Sequence, residues 1–296
     1  LFIFYYVVNS KSGCVTNFRL SFVLAFITSS FFSFIFIELL SMFNKLTFFT
    51  LLLCWLILFI SIGILLYFKF KDSFITSIKS FKITLPKNYI ILILFLVVTI
   101  LLPLLFLAVY CPPNNWDSMS YHLSRVAHWI QNKNVNFYPT LYVPQLTNNP
   151  LGEYLVTNIY LMTGGDYFVN LVQFISMICC VFLSSLLVKE FGINYKGQLL
   201  ASILTLTIPM GILQSTTTQT DYIAAFFLLS FIYFGIKVLR ETDNKKNLLY
   251  ILFFVVSISL GILTKATLFI WALPFVVYFA VKFILKFKLK IYKIIL

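Results

Sequence analysis

Long apolar stretches separated by short basic segments constrain this chain more than any single motif. Stretches of about 16 to 23 residues with few charges recur along its 296 residues. A helix needs about 20 such residues to cross a hydrocarbon core of about 30 Å, and shorter ones must tilt or enter only part of the way. The apolar windows are 20–37, 46–68, 89–110, 167–188, 198–213, 222–238, 248–263 and 266–281. The pattern predicts an all-α polytopic membrane protein.

Composition excludes most other classes. Hydrophobic residues make up 61% of the chain and charged residues 10%, whereas soluble domains are about half apolar and a quarter charged. The net charge of +13 is typical of nucleic-acid-binding proteins, but the lysines lie between the spans, where membrane topology accounts for them. We therefore predict no nucleic-acid partner. The five cysteines include no CxxC pair, so neither a disulfide framework nor a zinc site is predicted.

The spans divide the chain into three parts. Residues 1–88 hold N-terminal transmembrane helices and a basic segment, 89–281 form the membrane core with a large loop at 111–166, and 282–296 are a basic tail. Because the chain opens on Leu1 rather than Met and ends abruptly in the basic tail, we expect it to be truncated at both ends.

Basic segments predict the orientation. The segment 69–88 carries five lysines against one aspartate, which places it in the cytoplasm by the positive-inside rule. Alternation then puts the loop 111–166 outside. By the same alternation Asp117, Asp221 and Lys265 reach one outer face although they are far apart in sequence. Ionisable residues near a membrane usually face a wet cavity, so we predict that these three share a site.

The loop opens with a predicted amphipathic helix from Asp117 to Gln131. Its apolar stripe, at helical spacing, consists of Met119, Leu123, Val126 and Ile130. Its polar face consists of Asp117, Tyr121, Arg125, His128 and Asn132. We expect this helix to lie along the membrane surface with its polar face lining a cleft. Trp116 and Trp129 are typical of an interfacial aromatic belt.

Residues of this face suit transfer of a phosphate-linked group. Asp117 is the candidate general base, and Arg125 is a candidate cation for a leaving phosphate. Further candidates for substrate binding are Tyr121, His122, His128 and Glu153. Glu153 lies in the apolar segment Leu151 to Thr163, which is only about 13 residues long and is predicted to be a surface or partly embedded helix.

Five of the candidate residues also have a structural interpretation. Asp117 and Asp221 stand at helix starts, where carboxylates are common N-caps. Glu153 is favoured in a first turn by the helix dipole alone. Lys265 is suited to snorkelling toward the interface, and Arg125 to a headgroup-facing surface.

Taken in order, these segments resemble the GT-C glycosyltransferases of the bacterial protein-mannosyltransferase-like and aminoarabinose-transferase-like kind, glycosyltransferase family 39. The resemblance covers about residues 90–274. The segments that carry it are WDSMSYHLSRVAHWIQ, NNPLGEYL, TGGDYFVNLVQF, IPMGILQSTTTQTDY and GILTKATLFIWALPF.

The resemblance implies a GT-C-like helix bundle in a bacterial plasma membrane. It further implies inverting transfer of a sugar from a polyprenyl-phosphate donor to a glycan, lipid or protein acceptor at the outer face. Asp117 matches the family's loop acid, Asp221 the acid that opens a later span, and Lys265 the lysine of the LTK segment. Many relatives have a second acid where this chain has Ser118. Because of this departure the residues do not indicate a divalent cation, although the resemblance allows one. No cofactor is assigned.

Two other classes compete with a glycosyltransferase. A polytopic transporter or lipid flippase would also hold charges within its bundle, but inverted repeats and a site near the membrane midplane are expected of it. A non-catalytic protein of envelope-glycan assembly would tolerate Asp117, Asp221 and Lys265 lying far apart, so scattered side chains would favour it. The distance between these side chains discriminates between the classes.

Overall fold

The chain is all-helical in a computed structural model, which describes residues 1–11, 18–79 and 89–295, with side chains for 1–7, 18–71 and 89–286. No strand occurs in these ranges. The helices are α1 Phe2–Lys11, α2 Phe18–Met42, α3 Phe48–Lys79, α4 Ile90–Leu96, α5 Leu102–Tyr110, α6 Leu123–Asn132, α7 Pro144–Thr147, α8 Leu151–Thr163, α9 Leu171–Glu190, α10 Tyr195–Leu206, α11 Pro209–Gln214, α12 Asp221–Arg240, α13 Asn244–Thr264 and α14 Leu268–Ile295. Single π-helical turns at Val97–Leu101 and Ser118–His122 lead into α5 and α6.

Seven helical segments are long and apolar enough to cross a membrane. They are Phe18–Met42, Phe48–Lys71, Ile90–Tyr110, Leu171–Glu190, Asp221–Arg240, Asn244–Thr264 and Leu268–Lys286. This confirms the predicted all-α polytopic class. Much of the cytoplasmic segment predicted at 69–88 lies outside the described residues, as does Cys14.

The apolar window 198–213 is not one continuous span. The chain breaks between α10 and α11 at Ile208, whose backbone is extended at ψ 116. The following residue, Pro209, disfavours a helical conformation in the residue before it, so a new helix has to start there. Together α10 and α11 carry the chain from the end of α9 to the start of α12.

Ion pairs and hydrogen bonds show which helix ends lie together. Lys237 Nζ is 2.7 Å from a carboxylate oxygen of Glu190, and Lys286 Nζ donates to the Leu239 carbonyl at 3.2 Å. The ends of α9 and α12 and the second half of α14 therefore meet at one face, which we call the basic side. The opposite face holds the segment 111–170 and is called the loop side.

Helices α9 and α12 form the centre of the bundle. The apolar windows of α9 and α12 are 56% and 61% buried, against 11% for α3 and 6% for the segment Ile90–Tyr110. The outer helices thus expose apolar side chains, as contact with lipid requires, whereas α12 packs phenylalanines such as Phe226 and Phe234 into the core.

Helix α8 was predicted to be a surface or partly embedded helix; it lies inside the protein, so the surface alternative is wrong. Most of its side chains are buried, and it packs against α2, α3 and α6. Polar contacts make this possible: Tyr154 Oη donates to Glu38 at 2.5 Å, and Asn158 Nδ2 donates to Ser33 at 3.2 Å. These bonds pair side chains that would be costly to bury alone.

The predicted apolar stripe of the loop helix is also partly wrong. Met119 is exposed, but Val126 is fully buried and Trp129 is buried as well, so Trp129 is not part of an interfacial belt. The buried face, which packs on α8, is displaced by one residue from the predicted stripe and consists of Ser118, His122, Arg125 and Trp129 together with Val126. Trp116 is exposed at the loop side.

Gly235 tests the packing of α12 on α14. A Cβ atom at Gly235 would lie 2.4 Å from the ring of Phe279, which is fully buried and cannot move aside. We expect Gly235→Ala to reduce stability by about 1–3 kcal/mol through overpacking, measured as thermal unfolding in detergent. Gly63→Ala in α3 is the control, since nothing lies within 4 Å of its added Cβ. Equal melting temperatures would contradict this packing.

Candidate functional site

A polar cavity of about 270 Å³ lies at the loop side, where the loop helix, α8 and the turns before α12 and after α13 converge. We call it the carboxylate cavity. The predicted site residues that line it are Asp117, Tyr121, His122, Glu153, Asp221 and Lys265. The three residues predicted to share one site therefore do share one cavity. These three side chains are therefore not scattered over the protein.

Asp117 is positioned by neighbouring amides rather than used as a helix cap. Asn115 Oδ1 accepts the backbone N–H of Ser118 at 2.7 Å and so takes the capping position. The carboxylate of Asp117 instead accepts from Gln219 Nε2 at 3.1 Å. Ser118 is fully buried, and its Oγ accepts the N–H of Thr218 at 3.3 Å. Ser118 therefore ties the loop helix to the segment before α12.

Asp221 and Lys265 form an ion pair at the rim of the carboxylate cavity. Lys265 Nζ lies 2.6 Å from Asp221 Oδ1, and both side chains remain about 40% exposed. Asp221 is the first residue of α12, and Lys265 follows the last residue of α13. An ammonium has three N–H donors and this contact uses one, so Lys265 can hold an anion as well as Asp221.

Glu153 lies at the back of the cavity as a buried carboxylate. It is 1% exposed, and its Oε1 is 2.9 Å from His122 Nδ1 and 3.8 Å from Arg125 Nη1. Its Oε2 has no hydrogen-bond partner among the described residues. The Cβ of a residue replacing Gly152 would meet Thr220 at 2.3 Å, so only glycine lets the start of α8 come this close to the segment before α12.

Arg125 and His128 lie outside the carboxylate cavity. Arg125 is buried, donates to the Asn148 carbonyl at 2.7 Å and lies over the Trp129 ring at 4.6 Å. It lines a neighbouring cavity of about 270 Å³, which shares the residues 147–149 with the first. His128 stacks on Tyr138 with ring centroids 4.0 Å apart. Among the Lys and Arg side chains of the described residues, Lys265 is therefore the one that lines the carboxylate cavity.

Tyr121 is a neutral hydroxyl at this cavity. Burial raises the pKa of its phenol, and the nearby carboxylates of Asp117, Glu153 and Asp221 raise that pKa further. The phenol therefore keeps its proton and can donate a hydrogen bond to a sugar or phosphate oxygen.

Sequence reasoning missed the residues that hold the carboxylates in place. Gln219 and Asn115 are ordinary loop amides in the sequence, and Asn149, whose Nδ2 donates to the Ile262 carbonyl, ties the loop to α13. The sequence signals were the position of Asn149 inside NNPLGEYL, that of Gln219 in the amide-rich run before Asp221, and that of Asn115 among the N-cap-type residues after Pro113. Within the described residues, no group of three or more His, Cys, Asp and Glu side chains is arranged to hold a metal ion.

Fold and site together define an all-helical polytopic membrane protein with a carboxylate-lined cavity at one face. No family model, curated protein or solved structure matches the chain.

Replacement of Glu153 tests its role in holding the site together. We expect Glu153→Gln to destabilise the protein by about 3–5 kcal/mol, because it leaves Arg125 as a buried charge without an acidic partner. The measurement is thermal unfolding in detergent. Asp166→Asn is the control, since Asp166 is half-buried on the same side and forms no ion pair among the described residues. The double variant with Arg125→Met should recover part of the loss, and additive losses would contradict the coupling.

Proposed function

We propose that the protein is a membrane glycosyltransferase that uses a polyprenyl-phosphate sugar as donor. The observation that carries the proposal is the convergence of Asp117, Asp221 and Lys265, from three distant segments, on one cavity at the ends of membrane helices. The order of these segments is that of the GT-C glycosyltransferases that the sequence resembles. The π-helical turn beside Asp117 is a further support, because such turns are frequent at functional sites.

The proposed reaction is an inverting displacement. Asp117 accepts the proton of an acceptor hydroxyl while the acceptor oxygen bonds to the anomeric carbon of the donor. The bond from that carbon to the phosphate oxygen breaks, and polyprenyl phosphate leaves. Lys265 stabilises the charge that grows on the phosphate, and Asp221 keeps the ammonium in place. Tyr121, His122 and Glu153 either contact the sugar or hold the side chains that contact it.

An apolar groove beside the ion pair suits a lipid-linked donor. This groove has a volume of about 230 Å³ and lies between α12 and α14. Asp221 and Lys265 are at its polar end, and Leu228, Leu268 and Trp271 are among its apolar walls. A prenyl chain in the groove would place its phosphate at Lys265, where the groove meets the carboxylate cavity.

The geometry favours an enzyme over a transporter or flippase. Asp221 begins α12, and Thr264 and Lys265 mark the end of α13, so the site lies at helix ends. Transporter sites typically lie near the middle of the membrane between broken helices. We place the site at the outer face of a plasma membrane, as in the bacterial enzymes, because the lysine-rich segments are expected to stay in the cytoplasm.

Cysteine labelling tests this orientation. Cys111 is exposed at the loop side, whereas Cys179 and Cys180 are buried. In a Cys14→Ser background, a membrane-impermeant maleimide should label Cys111 in intact cells, and Cys111→Ser should remove the label. When Thr242→Cys, on the basic side, is added to the protein that carries both Cys14→Ser and Cys111→Ser, the new thiol should be labelled only after lysis. The reverse result would place the site in the cytoplasm.

Substitution of Asp117 tests the general base. We expect Asp117→Asn to lower the rate of sugar transfer by about 10²–10⁴-fold, because the amide cannot accept the proton. The assay uses the full chain in proteoliposomes with a panel of polyprenyl-phosphate sugars and detects products by mass spectrometry.

Two further variants separate catalysis from folding. Lys265→Gln should reduce transfer and weaken donor binding, because the phosphate loses its cation. Asp166→Asn, which changes a carboxylate outside the cavity, should leave transfer unaffected. Undiminished transfer by Asp117→Asn would refute the assignment of the base, and no product from any donor would refute the proposed activity.

A further inference from the structure

A second apolar cavity lies at the basic side, away from the candidate active site. It has a volume of about 750 Å³ and lies between α12 and α14. Its walls include Ile232, Ile236, Phe275 and Phe279. Because α12 rises about 1.5 Å per residue, the eight residues from Ile232 to Arg240 take this cavity about 12 Å into the membrane. The walls are therefore at the depth of lipid acyl chains. We call it the basic-side cavity.

Cations line the mouth of the basic-side cavity. Arg240, Lys282 and Lys286 are all part of its lining. Lys282 is exposed, with its ammonium 5.8 Å from the Tyr278 ring centroid. Lys286 donates to the last carbonyls of α12, among them Val238 at 2.7 Å. A helix C-terminus carries partial negative charge, which holds this lysine at the mouth.

One acid moderates this positive charge without cancelling it. The carboxylate of Glu190 is 2.7 Å from Lys237 and 3.8 Å from Arg240, so it is shared between two cations outside α14. Lys282 forms no ion pair with an acid among the described residues. The mouth therefore keeps a net positive charge at the level of the headgroups.

We propose that the basic-side cavity binds an anionic phospholipid of the adjoining leaflet. One acyl chain occupies the apolar walls, and the phosphate lies between Lys282 and Arg240. Basic pockets between transmembrane helices on the cytoplasmic side recognise anionic headgroups in this way. A soluble nucleotide or free phosphate does not fit the observations, because most of the cavity is apolar and reaches hydrocarbon depth. This inference does not depend on glycosyltransferase activity.

The test measures which lipid stays with the purified full chain. The protein is reconstituted in nanodiscs of phosphatidylcholine and phosphatidylglycerol at 3:1, extracted in mild detergent, and analysed by native mass spectrometry. We expect phosphatidylglycerol to be retained preferentially. Lys282→Gln should reduce that retention about fivefold, in line with the contribution of one cation near an anionic headgroup, and added salt should reduce it further.

Two matched variants make the result specific to the cavity. Ile236→Trp fills the apolar walls and should displace the lipid while the headgroup cations remain. Lys245→Gln removes an exposed lysine of α13 that does not line the cavity, and it should leave retention unchanged.

Three outcomes would overturn the proposal. Equal retention of both lipids would show that charge is not recognised, and equal effects of Lys245→Gln and Lys282→Gln would show only a diffuse surface attraction. A change in oligomeric state with Ile236→Trp, at unchanged lipid retention, would assign the cavity to contact between copies of the chain.

Discussion

The cost of placing a charge in hydrocarbon is the constraint on which this structure depends. A membrane helix can hold ionisable side chains only where they are paired or face water. The ion pairs among the described residues accordingly collect at the two faces: Asp221 with Lys265 and Glu153 with His122 and Arg125 on the loop side, and Glu190 with Lys237 and Arg240 on the basic side. These pairs join helix ends and so position both cavities.

The loop-side cavity combines a buried and an accessible set of charges. Glu153 is enclosed with His122 and Arg125, so this cluster fixes α8 against the loop helix. Asp221 and Lys265 remain partly exposed and can exchange partners with a ligand. Asp117 lines the same cavity and accepts a hydrogen bond from the amide of Gln219. A rigid back wall and a rim that can bind a ligand are what the proposed transfer reaction would require.

Much of the fold was predictable, because a 20-residue apolar window has few alternatives to a spanning helix. The window 198–213 failed as a single span because Pro209 interrupts its helix. The loop helix was predicted at the right place, but the face that packs on α8 is displaced by one residue from the predicted stripe, so Arg125 and Trp129 are buried. Spacing alone cannot decide between two adjacent faces of a helix, because the choice depends on partners such as Glu153, which lies against His122 and Arg125.

The sequence by itself determined the class of protein, the alternation of its connecting segments between the two membrane faces, and the candidates Asp117, Asp221 and Lys265. Each of these can be read from a short stretch of chain, because hydropathy decides which segments span and lysines mark the segments between them. Only the tertiary structure decided that these three side chains meet, that Glu153 is enclosed, and that Arg125 and His128 face elsewhere. It also supplied Gln219, Asn115 and Gly152 as the residues that position the site. Their roles depend on contacts between distant segments, since an amide or a glycine has no distinctive pattern until its neighbours in space are known.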